Sequence, residues 1–438
     1  MIRTLVREIP EKVGEMVTIH GWLHKKRLLG GLNFITLRDR SGIAQALIEN
    51  KEELEKLRGL QTGTVIALTG TVVSDERAPG GVELHDVKVF VEMPIKDESP
   101  IEVDKPISHK SEHLDTLFEN RVLNIRNLQE QNIFKIRADV TRHIRDFLHK
   151  NEFIEIDTPK LLAEATEGGA EVFKLDYFGK IATLAQSPQF YKQIMVGAFE
   201  RVYEIGHSYR AEPSATTRHL TELTTLDIEM GFVKDHDEVL DMVADMTQYT
   251  LKRIYDEHAQ YLKDLNVPEL KLSEDGKVPR FTIAQIHDMY TQATKTDTTQ
   301  EKDLMPDEER WIGDYAREQL GTDLVYAVRF PIRAAKFYHK LDIDDGTVFW
   351  GDLLMRGLEI ATVPLRENNY EKMIEQMKKA GLDVNHEGFK YYLQAFKYGL
   401  PQHGGCGLGI DRLVQKTIGL ANVKEACLFP RDINRLTP

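Results

Sequence analysis

Cys406 and Cys427 are the only cysteines in 438 residues, so neither a disulfide framework nor a cysteine-rich zinc site can be built. That scarcity fits a reducing, cytoplasmic home. No stretch approaches the roughly 20 uninterrupted apolar residues that a membrane span needs. The N-terminus, MIRTLVREIPEKVGE, alternates charge with apolar residues and lacks the apolar core of a signal peptide. No membrane partner is expected. Basic charge is not in excess either: 57 Lys and Arg stand against 70 Asp and Glu, a net charge of −13. This balance argues against a nonspecific nucleic-acid binder. It leaves room for a protein that reads one folded RNA, which needs only a local basic surface. Lys25, Lys26, Arg27, Arg38 and Arg40 could form one, or they could be a solvated charged face. There is no low-complexity segment and no obvious repeat. What is present, 41% hydrophobic and 29% charged residues, is enough for two or three folded domains.

The first hundred residues read as β-rich. Short β-branched runs at Val17 to Trp22, Phe34 to Leu37, Ile43 to Ile48, Val65 to Val73 and Val82 to Val91 are separated by turn signals. Among those signals are Gly30-Gly31, Arg40-Ser41-Gly42 and Ala78-Pro79-Gly80-Gly81. Lys51 to Leu60 has helical charge patterning. Five strands with a helix between the third and fourth is the layout of an OB-fold barrel, which binds single-stranded nucleic acid by stacking bases on its strands; another small barrel is the alternative. Pro94, Pro100 and Pro106 among charges suggest a hinge. Ile133, Ile136, Val140, Ile144, Phe147 and Leu148 then recur at helical spacing. The expected division is a barrel at 1–95, a hinge at 96–130 and an α+β domain at 131–438.

Three blocks carry chemistry. The first is the helix followed by Phe153-Ile-Glu-Ile-Asp-Thr-Pro159, which alone is weak. The second, Tyr209 to Met230, gathers Arg210, Glu212, Arg218, His219, Glu222, Asp227 and Glu229 around a short polar loop, Pro213 to Thr217. Alternation from Leu226 to Met230 predicts a strand with Asp227 and Glu229 on one face. Activating a carboxylate as an adenylate needs cations on the ATP phosphates and carboxylates for a metal. Arg210 can fork onto a phosphate and a carboxylate oxygen. A surface salt-bridge network is the bland alternative. The third block is His403-Gly-Gly-Cys-Gly-Leu-Gly-Ile-Asp-Arg-Leu413, where glycines allow close backbone approach and Arg412 opens a helix. It is neither a dinucleotide fingerprint nor a phosphate loop of the Gly-Lys-Ser/Thr type.

In this order the blocks resemble motifs 1, 2 and 3 of class II aminoacyl-tRNA synthetases. With the barrel they resemble the aspartyl, asparaginyl and lysyl subgroup, in its compact archaeal and eukaryotic form. The resemblance runs from Gly21-Trp22 to the C-terminal Leu428-Phe-Pro-Arg431 and Leu436-Thr-Pro438. It implies an α+β chain: an OB-fold anticodon-binding barrel, then a large antiparallel sheet flanked by helices, paired into a homodimer through motif 1. It assigns Arg210 to the α-phosphate, Glu212 to the adenine amino group, and Arg218 with His219 to the β- and γ-phosphates. Gly409 would border the nucleotide and Arg412 would meet the γ-phosphate and cover the adenine ring. Glu359 and Thr362 would hold Mg2+.

The stretch Ala185-Gln186-Ser187-Pro188-Gln189-Phe190-Tyr191-Lys192 resembles the aspartyl-type substrate segment. Gln189 would contact the amino acid's α-amino end, with Ser187 also at the amino acid; Lys192 and Arg366 would bind its side-chain carboxylate, and Glu167 with Asp227 would flank its ammonium group. Thr166-Glu167-Gly168-Gly169-Ala170 resembles a loop closing over that substrate. One departure stands out. Val363-Pro364-Leu365 replaces the Gly-Gly-Gln run that the family carries before Arg366, adding bulk that is expected to reshape the pocket floor. In the barrel, Arg27, Phe34 and Gln45 would meet the anticodon. His24 and Pro79 resemble the residues of enzymes that charge tRNA-Asn as well as tRNA-Asp, which would require a tRNA-dependent amidotransferase downstream. Three other readings stay open: an asparaginyl enzyme, an adenylate-forming paralogue that charges no tRNA, and a catalytically dead RNA-binding regulator.

Overall fold

The computed structural model of the chain describes residues 3–28, 32–105, 111–163, 171–213 and 216–438, and of 111–113 the backbone alone. Gly30-Gly31 and the expected closing loop with Glu167 lie outside the described residues. The chain forms two compact units, Met1–Gln131 and Asn132–Pro438.

In the first unit, strict alternation makes a barrel. Strands β1 (Met16–Leu28), β2 (Asn33–Arg38), β3 (Ile43–Leu47), β4 (Val65–Ser74) and β5 (Val82–Met93) close in the order β1-β2-β3-β5-β4. Ile35 and Leu37, Ala44 and Ala46, Ile66 and Leu68, and Leu84 point inward and form its core. Their neighbours Phe34, Thr36 and Gln45 therefore face outward. Gly21 lets β1 cross β2: a Cβ there would stand 2.2 Å from the Arg38 carbonyl oxygen. The expected helix spans Lys51–Arg58, capped by Asn50, whose side chain accepts from the backbone of Glu52 at 2.7 Å. The stretch expected as a hinge carries helices Ser111–Glu119 and Arg121–Asn124. It also holds a buried ion pair, Arg121 Nη1 to Glu130 Oε2 at 2.8 Å.

The second unit is built on a nine-stranded sheet, with a separate sheet of β7 (Leu161–Leu162), β8 (Lys174–Tyr177) and β9 (Lys180–Leu184). The large sheet contains β6 (Ile154–Glu155), β10 (Arg201–Tyr209), β11 (Glu222–Gly231), β12 (Arg280–Thr282), β13 (Leu324–Pro331), β14 (Leu341–Asp342), β15 (Thr347–Met355), β16 (Leu358–Pro364) and β17 (His403–Gly409). Its order is β12-β13-β15-β16-β17-β11-β10-β6, with β14 on β15. The centre is antiparallel, as expected. At the two edges β6 runs parallel to β10 and β12 parallel to β13, so the sheet is mixed. The cause is connectivity: helices intervene between the members of each edge pair and bring the chain back in the same direction.

One face of this sheet is sealed by the long helices Leu128–Lys150 and His236–Glu257, which contribute Ile133, Ile136, Val140, Val239, Val243 and Leu251 to the core. Leu226, Ile228 and Met230 of β11 point into that core. Asp227 and Glu229 consequently face the other way, and helix Gln189–Phe199 packs over them. Among the described residues no helix is long and apolar enough to cross a membrane.

Candidate active site

A cavity of about 300 Å³ opens over β11, β16 and β17. Gln189, Lys192, Arg210, Arg218, His219, Asp227, Glu359, Thr362, Arg366, Gly409 and Arg412 all line it, together with Ser187. Ser187 and Arg412, 225 positions apart, are thus brought to one space.

The deepest charges form a closed network. Lys192 Nζ donates to Asp227 Oδ1 at 2.8 Å and to the Cys406 carbonyl at 2.9 Å, and lies 3.7 Å from Glu229 Oε2. Arg366 grips Glu229 with two bonds, Nε to Oε1 at 2.9 Å and Nη2 to Oε2 at 3.1 Å. All four side chains are buried. Burial would raise the Glu229 carboxyl, but Arg366 and then Lys192 outweigh it and hold it below its ordinary value. The sequence reading set two cations against the substrate's carboxylate without counting Glu229. Here Glu229 and Asp227 balance both cations, so the four buried groups sum to zero charge.

The second set of groups is richer in arginine. Arg412 Nη1 donates to the Glu359 carbonyl at 3.0 Å and to its Oε2 at 3.2 Å. Arg412 is the third residue of helix Ile410–Ile418, which begins directly after β17. Thr362 Oγ1 donates to Glu359 Oε1 at 3.0 Å. Burial works to raise Glu359, yet Arg412, the Thr362 hydroxyl and Arg210 together pull its carboxyl below the ordinary value. Arg218 is paired with Glu309 of helix Pro306–Gln319, a partner the sequence did not suggest. His219 Nδ1 lies 2.6 Å from Thr216 Oγ1, and Glu212 stands 4.0 Å from its other ring nitrogen. Burial, followed by the charge of Arg412, lowers the His219 pKa.

Asp352 is a second residue missed in the sequence. It lies opposite Thr362 across β15 and β16 and accepts from Trp350 Nε1 at 2.7 Å. Burial and the nearby Glu359 charge push its carboxyl well above the ordinary range. The only sequence signal was an aspartate seven residues before Glu359, too common a spacing to single out.

The substitution Val363-Pro364-Leu365 does not put bulk where the sequence reading placed it. It continues β16, so alternate side chains take opposite faces. Val363 and Leu365 enter the core, while Thr362, Pro364 and Arg366 face the cavity. Of the three, only the proline borders the cavity. The glycines of β17 divide similarly: a Cβ at Gly405 would stand 1.9 Å from the Ile228 carbonyl oxygen, so this glycine serves strand packing. Gly407 and Gly409 border the cavity.

On the barrel, Arg27 and Phe34 are register partners on β1 and β2, and Thr36 is paired with Gln45. Phe34 and Gln45 are therefore diagonal neighbours on the outer face. Phe34 is half-buried and lies outside the barrel core. Gln45 Nε2 donates to Glu83 Oε2 at 2.8 Å, which leaves its carbonyl for a ligand. Trp22 and Arg38 stack beside them, with the guanidinium 5.3 Å from the ring centroid. His24 is half-buried at the bulge between Leu23 and Lys25, where burial lowers its pKa. Pro79 opens the exposed turn Pro79–Gly81.

The chain belongs to the class II tRNA synthetases: the family model for the D, K and N enzymes matches residues 113–433, and that of the OB-fold nucleic acid binding domain matches 17–91. It is 38% identical over 436 residues to the aspartate–tRNA(Asp/Asn) ligase of Methanopyrus kandleri, covering 98% of this chain and 97% of that one. It is also 38% identical to the aspartate–tRNA(Asp) ligase of Pyrococcus abyssi, with both chains fully covered. Among solved structures it resembles asparaginyl-tRNA synthetase from Pyrococcus horikoshii complexed with asparaginyl-adenylate, with a TM-score of 0.91 at 29% identity and full coverage of both chains. The putative aspartyl-tRNA synthetase of Leishmania major follows at 0.89 and 28%, covering all of this chain and 95% of that one.

Proposed function

We propose that this chain activates L-aspartate with ATP and transfers it to the 3′ end of tRNA-Asp and tRNA-Asn. The observation that carries the substrate is the charge arrangement of the buried network. Asp227 offers one anion to the α-ammonium group. Lys192 and Arg366 set two cations beside the side-chain carboxylate, with Arg366 Nη1 as the donor that Glu229 leaves uncommitted. Ser187 and Gln189 border the same space.

The α-carboxylate is already an anion and needs no general base. It attacks the α-phosphorus of ATP in line, forming the aspartyl–phosphate bond while pyrophosphate leaves. Arg210 bridges that carboxylate and the α-phosphate. Arg218, released from Glu309, and His219 meet the outer phosphates, Glu212 reads the adenine amino group, and Arg412 covers the ring. Catalysis rests on positioning and fixed charge. Asp352, Glu359 and Thr362 offer crowded hard oxygen donors whose mutual repulsion a divalent cation relieves, so they fit Mg2+. When bound, Mg2+ supplies positive charge against the phosphates.

Arg27, Phe34 and Gln45 take the anticodon on the barrel's outer face. His24 and Pro79 support use of both tRNAs, as does the name of the Methanopyrus relative. Aspartate on tRNA-Asn then needs an amidotransferase. Pairing of two copies through motif 1, and a cytoplasmic setting, complete this reading.

Glu229 also supports a second reading. Beside Arg366 it pairs an acceptor with a donor, which suits the amide of asparagine. Amino-acid-dependent ATP–pyrophosphate exchange separates the two. Aspartate is expected to support exchange at least about 100-fold more efficiently than asparagine, the equivalent of ~3 kcal/mol. Preference for asparagine would overturn the proposal.

A further inference from the structure

Behind the amino-acid end of the cavity lies a chain of buried polar side chains that the mechanism does not use. Gln189 and Gln193 sit one helical turn apart on Gln189–Phe199, and Gln189 Nε2 donates to Gln193 Oε1 at 2.9 Å. Tyr392 OH donates to the same oxygen at 3.0 Å. Gln193 Nε2 meets His403 Nε2 at 2.9 Å, and His403 Nδ1 meets the Pro401 carbonyl at 2.8 Å. Each of the four side chains is almost fully buried.

The direction of every bond follows from one end. The Pro401 carbonyl only accepts, so His403 carries its proton on Nδ1. Burial lowers the His403 pKa, so the ring is neutral and its Nε2 accepts. Gln193 must then turn its NH2 toward His403 and its carbonyl toward Gln189 and Tyr392. That carbonyl in turn draws the Gln189 NH2 away from the cavity. What Gln189 has left for a ligand is an oxygen.

We infer that Gln193 and His403 are positioning residues that fix the polarity of the Gln189 amide, so that its carbonyl oxygen faces the α-ammonium group of the amino acid. The inference rests on reading this cavity as the amino-acid site, and deepens that reading. Were the amide free to flip, its NH2 would face the ammonium as donor against donor. The chain thereby favours substrates that carry an α-amine over the same skeleton without one.

The test is pyrophosphate exchange by the full chain with aspartate as substrate and succinate, which lacks the amine, as competitive inhibitor. Gln193→Leu is expected to raise the KM for aspartate about tenfold, the range of one hydrogen bond to a charged group. The KM for ATP and the Ki for succinate should stay within about twofold, a change below ~0.5 kcal/mol. His403→Gln, whose side-chain carbonyl can accept from Gln193 as the ring Nε2 does, should hold the aspartate KM within about threefold of the parent, below ~1 kcal/mol. His403→Leu, which frees Gln193 to turn, should repeat the effect of Gln193→Leu and serves if that variant does not fold. An unchanged aspartate KM in the leucine variants overturns the inference, as does a parallel rise in the succinate Ki or equal damage by His403→Gln. If the parent uses asparagine instead, the substrate reading fails. The inference is then tested on the same variants with succinamate as inhibitor, because the ammonium is common to both amino acids.

Discussion

Lys192 is the single side chain on which two buried carboxylates depend. Removing it leaves Asp227 without its cation and Glu229 with Arg366 alone. Lys192→Met should therefore lower the unfolding free energy in urea by roughly 3 kcal/mol, as breaking a buried pair from one side does, and abolish aspartate-dependent exchange. His236 gives a pH signature. Its Nε2 donates to the Val363 carbonyl at 2.8 Å, and burial lowers its pKa from 6.5 to about 4. The unfolded chain binds the proton that the folded chain refuses, so stability is full above pH 6.5 and is lost as pH falls toward 4. That loss should reach roughly 2–3 kcal/mol, and urea unfolding of His236→Gln at pH 7 and pH 5 should show a visibly flatter dependence. At this scale the sequence was legible where a residue belongs to a contiguous block: Arg210, Asp227, Arg366 and Arg412 all reach the cavity. Glu309, Asp352 and Gln193 were not legible, because their partners lie in distant segments and nothing in their own neighbours marks them.

Strand β17 shows how an element divides its glycines between packing and the site. Gly405→Ala would place a methyl 1.9 Å from the Ile228 carbonyl oxygen, so β17 could not lie against β11. We expect that variant to be destabilised by about 3 kcal/mol or more, or not to fold. At Gly409 the nearest atoms to an added methyl are those of Arg412, at 3.7 Å or beyond. Gly409→Ala should fold with a melting point within a few degrees of the parent (a change below ~1 kcal/mol) while raising the KM for ATP. The barrel strands were readable from the sequence because alternation leaves one apolar face in each. The parallel edges of the large sheet were not, since their partners are separated by helices that leave no local mark. The Val363-Pro364-Leu365 run was legible as a departure, but its consequence depended on strand phase, which one proline obscures.

The molecule as a whole separates two tasks into two compact units. The proposed adenylate site lies in the second, and the OB-fold nucleic acid binding domain is in the first. Phe34→Ala should lower kcat/KM for tRNA charging by about tenfold or more, the worth of one stacked base, and leave pyrophosphate exchange unaltered. A net charge of −13 is compatible with reading one folded RNA, which needs only a local basic surface. The most direct test of the central claim is aminoacylation of tRNA-Asp and tRNA-Asn transcripts with labelled aspartate and labelled asparagine. Aspartate attached to both tRNAs, with no asparagine attached to either, is the predicted result. Asparagine on tRNA-Asn, or exchange with no tRNA charged at all, would contradict it.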